Sequence, residues 1–146
     1  MIKPHASSLR RGRYSEANRI YLITTITECR EHVFDDLVAS RIVINTLKEG
    51  QAREDAETLA FVLMPDHLHW LMQLGSGKSL ASVVAAIKSV SAHRIGRKIW
   101  QDGFHDHALR KEEDIQGTAR YVVANPLRAE LVKKIGDYPH WDAMWL

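Results

Sequence analysis

Two histidines one residue apart lie in the segment PDHLHW, residues 65–70. Because side chains alternate between the two faces of a β-strand, His67 and His69 project from one face, and Leu68 and Trp70 project from the other. Two adjacent imidazoles can form half of a metal site. The same pattern is also typical of polar residues on the solvent face of a half-buried strand.

A second group of polar residues lies in the segment YVVANP, residues 121–126. Tyr121 and Asn125 are four residues apart, so on a helix they lie one above the other on the same face. The amide oxygen of Asn125 is a neutral metal ligand, and the Tyr121 phenol can approach a group that the metal polarises. Alternatively, Tyr121 is a packed aromatic residue and Asn125 is a helix cap. Mg²⁺ prefers oxygen ligands, whereas a site with two imidazoles also suits Mn²⁺ and binds transition metals tightly. The expected cofactor is a divalent metal ion, Mg²⁺ or Mn²⁺.

The spacing of apolar residues predicts the elements that position these groups. Runs rich in β-branched and other apolar residues predict strands, and apolar residues at helical spacing predict amphipathic helices. The predicted strands are residues 20–27, 59–64, 67–74 and, with weaker patterning, 104–110. The predicted helices are residues 37 to about 50, 80 to about 100, 112–124 and 126 to about 134.

Single residues indicate where these elements begin and end. Asp35 or Asp36 can cap the first helix, and Ser79 can cap the second. Pro65-Asp66 favours a tight turn, and hence an antiparallel hairpin, between two apolar strands. Gly50 is expected to interrupt the first helix near its end, after the apolar positions Leu37, Ile42, Ile44 and Leu47. The order β-α-β-β-α-β-α predicts an α+β fold with one antiparallel sheet and packed helices, as in ferredoxin-like and RNA-recognition-motif domains.

Composition favours one globular domain. A chain of 146 residues, 45% of them hydrophobic, can bury one core. We expect a basic N-terminal arm, residues 1–18, and a single domain, residues 19–146. The single Cys29 excludes an internal disulfide and, without a recognisable signal peptide, favours a cytoplasmic location. The apolar runs are far shorter than the roughly 20 residues of a membrane-spanning helix, which argues against a membrane protein.

Basic residues are candidates for contact with nucleic acid, although the net charge is only +2. The arm is either a flexible tail or a segment that holds phosphates and stacks a base through Arg10, Arg11, Arg13 and Tyr14. On the second predicted helix, Lys88 and Arg94 either line a DNA path or form a solvated face. Arg110 is a further candidate for contact with DNA. We expect a structural or DNA-contact role for His105 and His107.

Three segments together resemble the REP-associated tyrosine transposases, a branch of the single-tyrosine HUH transposases (histidine, hydrophobic residue, histidine). These segments are PDHLHW (residues 65–70), WQDGFHDHALR (residues 100–110) and RYVVANPLRAELV (residues 120–132). The resemblance extends from about Leu9 to Trp145 and implies the HUH endonuclease fold. It also implies a nucleophile, Tyr121, and the metal ligands His67, His69 and Asn125. Many members of that family carry a glycine in the segment that here reads RAEL, residues 128–131.

The resemblance further implies an activity. The chain would be a metal-dependent single-stranded DNA endonuclease and strand transferase that acts on hairpins such as repetitive extragenic palindromes (REP). Its intermediate would be a 5′-phosphotyrosine, whose energy allows strand rejoining without ATP or another nucleotide cofactor. The expected partners are single-stranded or hairpin DNA, and the expected state is a monomer or a homodimer. The alternative is a module of the same fold that binds hairpin DNA or RNA without cleaving it.

Overall fold

The major helices and strands up to residue 128 follow one another in the predicted order. The computed structural model describes residues 16–110 and 115–143. Within these ranges the strands are β1 (Ile20–Ile26), β2 (Ala56–Met64), β3 (His67–Leu74), β4 (His105–Ala108) and β5 (Trp141–Ala143). The α-helices are α1 (Leu37–Ala52), α2 (Leu80–Ile95), α3 (Ile115–Val123) and α4 (Asn125–Arg128). No helix in the described part of the chain is long and apolar enough to cross a membrane.

The strands form one antiparallel sheet in the order β4-β1-β3-β2-β5. Strand β3, which carries the two histidines, is therefore the central strand. The first six major elements have the β-α-β-β-α-β arrangement of ferredoxin-like domains. These features confirm the predicted α+β fold. Strand β5 was not predicted, and it extends the sheet at the edge formed by β2, where Trp141 is opposite Val62.

One face of the sheet, which we call the two-helix face, is covered by α1 and α2. On this face Leu68, Trp70 and Met72 of β3 are buried in one core cluster. The same cluster contains Val43 of α1 and Ile87 of α2. Every second residue of β3 therefore points into the main core, as the alternation of the sequence predicted.

The opposite face, which we call the α3 face, carries the two histidines. His67 and His69 alternate with the core residues of β3, so they project from this side of the sheet. Further along β3, Leu71 is buried in a cluster with Ala119 and Val123 of α3. The helix that contains Tyr121 is thus packed on the same face of the sheet that carries the histidines.

Side-chain caps begin both long helices at the predicted positions. The Asp36 carboxylate accepts a hydrogen bond of 3.0 Å from the backbone N–H of Val38. The Ser79 hydroxyl accepts one of 3.1 Å from the backbone N–H of Ser82. Each cap satisfies an N–H group that has no partner within its own helix.

Helix α2 ends earlier than the sequence predicted, at Ile95 and not near Trp100. Gly96 has φ 104°, a left-handed conformation that ends a helix and that glycine adopts at little cost. Trp100 lies outside the helix but is buried, and its ring N–H donates a hydrogen bond of 3.0 Å to the Ser91 hydroxyl. The apolar residues near position 100 were therefore correctly placed in the core but wrongly assigned to the helix.

The prediction of the buried positions of α1 was partly wrong. Leu47 is buried as expected, but Leu37 is 49% exposed. Smaller residues such as Ala39 and Val43 fill the contact with the sheet and α2, since they allow close approach. Gly50 does not interrupt the helix, which continues to Ala52.

Helix α4 is much shorter than predicted, because it ends at Arg128 and not near residue 134. Glu130 adopts a left-handed φ of 60°. Its N–H donates to the carbonyl oxygen of Leu127 at 3.1 Å, and the N–H of Leu131 donates to that of Pro126 at 2.9 Å. This pair of bonds is the Schellman motif, which ends helices and normally has glycine at the left-handed position.

Candidate active site

The two histidines lie side by side at the start of β3. Their ring centroids are 4.7 Å apart and the rings are nearly perpendicular, at 81°. Nδ1 of His67 lies 2.7 Å from Oδ1 of Asp66, and Nδ1 of His69 lies 2.8 Å from the hydroxyl of Thr24. Both contacts engage Nδ1, so Nε2 is the ring nitrogen of each histidine that these contacts leave available to face a metal ion.

Burial keeps His69 uncharged. Burial, followed by interactions with His67 and Arg128, lowers the pKa of His69 to about 4 from its ordinary value of 6.5. At neutral pH the ring is therefore neutral, which is the form that binds a metal ion. His69 is thus suited to the role of a ligand.

The Asp66 carboxylate lies between a histidine and an arginine. Its Oδ2 accepts a hydrogen bond of 2.8 Å from Nε of Arg30, while Oδ1 contacts His67. Burial alone would raise the pKa of Asp66, but the hydrogen bonds and charges of His67 and Arg30 outweigh it and lower that pKa below its ordinary value. The carboxylate is therefore ionised at neutral pH and behaves as a hydrogen-bond acceptor.

Tyr121 lies on the outer side of α3. Its side chain is 62% exposed, whereas the neighbouring Val122 and Val123 are buried against the sheet. The guanidinium carbon of Arg128 lies 3.8 Å from the centroid of the Tyr121 ring, which is a cation–π contact. The same charge on Arg128 contributes to the low pKa of His69. One guanidinium group therefore interacts with both Tyr121 and His69.

Asn125 is half-buried at the first residue of α4, four residues after Tyr121. Its role as third metal ligand stays a prediction. Within residues 16–110 and 115–143, no group of three or more His, Cys, Asp or Glu side chains is arranged to hold a metal ion. The residues present nevertheless fit a divalent cation. The His69 ring is neutral at neutral pH, and in both histidines the contacts with Asp66 and Thr24 engage Nδ1 and not Nε2.

Two further tyrosines in the described ranges are much less suited to attack a substrate. Tyr21 is only 2% exposed, and burial raises the pKa of its phenol. The Tyr138 hydroxyl donates a hydrogen bond of 2.6 Å to the carbonyl oxygen of Leu63. Burial, and then the negative charges of Asp35 and Asp66, raise the pKa of Tyr138 to about 12. Among the described residues, Tyr121 is therefore the tyrosine whose phenol is available to an external phosphate.

The structure does not bring the basic residues of α2 to the histidines. The Lys88 ammonium group donates hydrogen bonds to the carbonyl oxygens of Gln101 and Gly103, at 2.7 and 2.6 Å. Arg94 forms an ion pair of 2.8 Å with Glu49 of α1. Both lie on the side of the two-helix face and make their observed contacts within the domain. Their contact with DNA stays a prediction.

The remaining candidates for contact with nucleic acid lie elsewhere. Arg110 is exposed just after β4. In the sheet, His105 is opposite Thr24 and His107 is opposite Leu22, so both project from the α3 face at the edge of the sheet, where they are exposed. Four candidates of the N-terminal arm lie outside the described residues, namely Arg10, Arg11, Arg13 and Tyr14. Their contact with DNA stays a prediction.

Sequence reasoning missed three residues that surround the candidate site. Thr24 and Arg30 contact His69 and Asp66 across 45 and 36 residues of sequence, so no local pattern indicates either contact. The position of Arg128 beside Tyr121 could have been predicted, because on a continuous helix a residue seven positions after Tyr121 lies two turns away on the same side. The break in the helix at Ala124 obscured that relation.

Comparison with known proteins identifies related sequences. The family described as "Transposase IS200 like" matches residues 15–125. A REP-associated tyrosine transposase of Escherichia coli (strain K12) is 34% identical over 85 residues, which are 57% of this chain and 52% of that protein. A Haemophilus influenzae protein that provisionally bears the same name is 26% identical over 100 residues, which are 58% of this chain and 57% of that protein. The chain therefore spans about half the length of the curated relatives it matches.

A solved structure has the same fold. It is described as a REP-associated tyrosine transposase bound to a REP hairpin, and it superposes with a TM-score of 0.77 at 23% sequence identity. The superposition covers 97% of this chain and 82% of that chain. The likeness therefore extends over the sheet and the helices that carry the candidate site.

Proposed function

The chain belongs to the IS200-like transposase family, and we propose that it is a metal-dependent endonuclease and strand transferase for single-stranded DNA. The main support is the position of Arg128, whose charge interacts with the exposed Tyr121 and with the uncharged His69. The proposed nucleophile and a proposed metal ligand are thus both influenced by the positive charge of one guanidinium group.

In the proposed reaction, the Tyr121 hydroxyl oxygen forms a bond to phosphorus and the bond from phosphorus to the 3′ oxygen breaks. The phenol loses its proton, and the leaving 3′ oxygen takes up a proton and becomes a free hydroxyl group. The DNA is then attached to the protein through a 5′-phosphotyrosine. Attack by the 3′-hydroxyl of another strand reverses the bond changes, so one phosphodiester replaces another without a nucleotide cofactor.

The surrounding residues have separate roles in this proposal. His67 and His69 hold a divalent cation, Mg²⁺ or Mn²⁺, with Asn125 as the third protein ligand. When bound there, such a cation would supply polarisation of the phosphodiester and stabilisation of the negative charge on the leaving oxygen. Arg128 can bind a non-bridging phosphate oxygen beside Tyr121, because a guanidinium group matches the geometry of phosphate.

We further propose that the substrate is a hairpin of the REP type. The solved structure with the same fold is described as bound to a REP hairpin, and the sequence offers a basic arm that can read an adjacent single strand. Such an enzyme would act in the cytoplasm, as a monomer or as a homodimer.

The test incubates the purified protein with a hairpin oligonucleotide and Mg²⁺ or Mn²⁺, and then separates protein from DNA under denaturing conditions. We expect a covalent protein–DNA adduct that disappears when the metal is chelated. Tyr121→Phe should abolish the adduct and leave hairpin binding nearly unchanged, because the ring that contacts Arg128 is retained. Tyr138→Phe, which also removes one phenol hydroxyl, should retain the adduct.

An adduct that persists in Tyr121→Phe would contradict the proposed nucleophile. Hairpin binding by the wild-type chain without an adduct, with either metal, would instead support the alternative of a binding module without catalytic activity.

A further inference from the structure

The carboxylate of Asp66 connects a surface arginine to the first histidine of the candidate active site. Oδ1 lies 2.7 Å from Nδ1 of His67, and Oδ2 accepts a hydrogen bond of 2.8 Å from Nε of Arg30. The Asp66 and His67 side chains are each 16% exposed, whereas the Arg30 side chain is 57% exposed. The contacts therefore run from the surface into the candidate site through one shared carboxylate.

The contact with Asp66 determines which ring nitrogen of His67 carries the hydrogen atom. A carboxylate only accepts hydrogen bonds, so Nδ1 of His67 must be the donor. A neutral imidazole has a single N–H group, so Nε2 then carries the lone pair that a metal ion needs. His69 differs, because the Thr24 hydroxyl can either donate to Nδ1 or accept from it. The observed contacts specify the tautomer of His67 and leave that of His69 open.

The turn that carries Arg30 is anchored to the same aspartate. Cys29 and Arg30 have left-handed φ angles of 54° and 55°, which cost free energy in residues other than glycine. Thr27, at the start of this turn, is fully buried, and its N–H donates a hydrogen bond of 3.0 Å to the carbonyl oxygen of Asp66. Its hydroxyl donates to the carbonyl oxygen of Glu31 at 2.8 Å. The backbone of Asp66 is therefore held by Thr27 and its carboxylate by Arg30.

We propose that Arg30 is a positioning residue, which holds Asp66 in the orientation that keeps the hydrogen atom on Nδ1 of His67 and the lone pair on Nε2. The position of this hydrogen is a property of the metal-free chain and does not depend on the proposed function. Its consequence for metal binding rests on the proposed function. Carboxylates behind a metal-binding histidine fix its tautomer and orientation, and their loss lowers metal affinity about 10- to 100-fold. Arg30 acts one contact further out, so its replacement should lower the affinity by up to about tenfold.

The test compares four versions of the full chain with the wild type. Arg30→Asn removes the guanidinium group, and asparagine tolerates the left-handed backbone better than most residues, so the fold should be retained. Asp66→Asn is the second variant, because an amide group both donates and accepts and no longer specifies the tautomer. Arg30→Lys keeps a charged donor. Arg97→Ala is the matched control, since Arg97 pairs with Glu31 of the same turn at 2.6 Å.

Two measurements report on the role of Arg30. Nitrogen-15 NMR of the metal-free chain at alkaline pH distinguishes the ring nitrogen of His67 that carries hydrogen from the one that does not. We expect hydrogen on Nδ1 in the wild type, Arg97→Ala and Arg30→Lys, and a mixture of tautomers in Arg30→Asn and Asp66→Asn. Calorimetry with Mn²⁺ alone should show the weakest binding for Asp66→Asn and intermediate binding for Arg30→Asn.

A His67 ring that keeps its hydrogen on Nδ1 in Arg30→Asn would overturn the positioning role. A wild-type ring with hydrogen on Nε2 would overturn it as well. Failure of the proposed function gives a different result, because the wild-type chain would then bind no Mn²⁺. The tautomer of His67 in the metal-free chain would still change in Arg30→Asn if Arg30 positions Asp66.

Discussion

Replacing His69 by asparagine should make the stability of the metal-free protein less sensitive to acid. The folded state lowers the pKa of His69 from 6.5 to about 4, so the unfolded chain binds a proton more readily than the folded protein does. The contribution of His69 to the free energy of unfolding is fully present above pH 6.5 and is lost as the pH falls from there through about 4. The shift corresponds to about 3 kcal/mol at most, at about 1.4 kcal/mol per pH unit. Because the ring is partly exposed, we expect acid to remove about 1–3 kcal/mol of the free energy of unfolding through His69.

The assay is urea unfolding, followed by circular dichroism, at about pH 7.5 and about pH 4.5, on either side of most of this change. His69→Asn is the chosen variant, because an amide group near the position of Nδ1 can keep the hydrogen bond to Thr24. Carboxylates and His140, whose pKa is also lowered by burial, titrate in both proteins. The difference between the two proteins therefore isolates His69. His32→Asn, at an exposed histidine, is the control and should behave like the wild type.

An equal loss of stability in the wild type and in His69→Asn would refute this reasoning. His69 would then not be the buried, uncharged histidine that the candidate site requires.

Two further predictions concern residues outside the histidine pair. Glu130→Gly should stabilise the protein by about 0.5–1 kcal/mol, because a left-handed conformation costs about 1–2 kcal/mol in other residues, and the greater flexibility of glycine when unfolded offsets about half of this gain. Urea unfolding measures the change, and Glu130→Ala, which keeps the strained conformation, should show no such gain. Deletion of residues 1–14 should weaken hairpin binding. It should also reduce the slope of the logarithm of the binding constant against the logarithm of salt concentration by about 2–3, as expected for three lost arginine contacts with phosphate. Titrations at several salt concentrations that give the same slope for both proteins would show that the arm does not bind phosphates.

The faces of the central strand were predictable from the sequence, because side chains on a strand alternate with a period of two. Leu68 and Trp70 lie in the main core and His67 and His69 lie on the opposite face, as predicted. Leu71 is also buried, since α3 covers the second face. Local patterns cannot show which helix packs on that face, because this depends on how distant segments meet.

The contacts that prepare the two histidines could not be predicted. Thr24 reaches His69 only through the register of β1 against β3. Arg30, which contacts Asp66, lies in a turn where two consecutive residues adopt left-handed backbone angles, and a Cys-Arg pair does not indicate such a turn. These contacts depend on tertiary structure, whereas the residue types and spacing of the candidate ligands are properties of the sequence itself.

The ends of the later helices were predicted less well, for a local reason. Gly96 and Glu130 both adopt the left-handed conformation that ends a helix. Glycine commonly marks such an end, so the end of α2 at Gly96 could have been predicted. Glutamate does not, so the residue at position 130 gave no indication of the early end of α4 at Arg128.

The most direct test of the central claim is to identify the residue that carries DNA after reaction with a hairpin oligonucleotide. Each tyrosine of the chain lies in a different tryptic peptide, because trypsin cleaves after lysine and arginine. Tyr121 is released within residues 121–128, Tyr138 within residues 135–146 and Tyr21 within residues 20–30. Mass spectrometry of the digested adduct should find the nucleotide mass on residues 121–128, at Tyr121. The same mass on the peptide that contains Tyr138, or on any other peptide, would contradict the proposed mechanism.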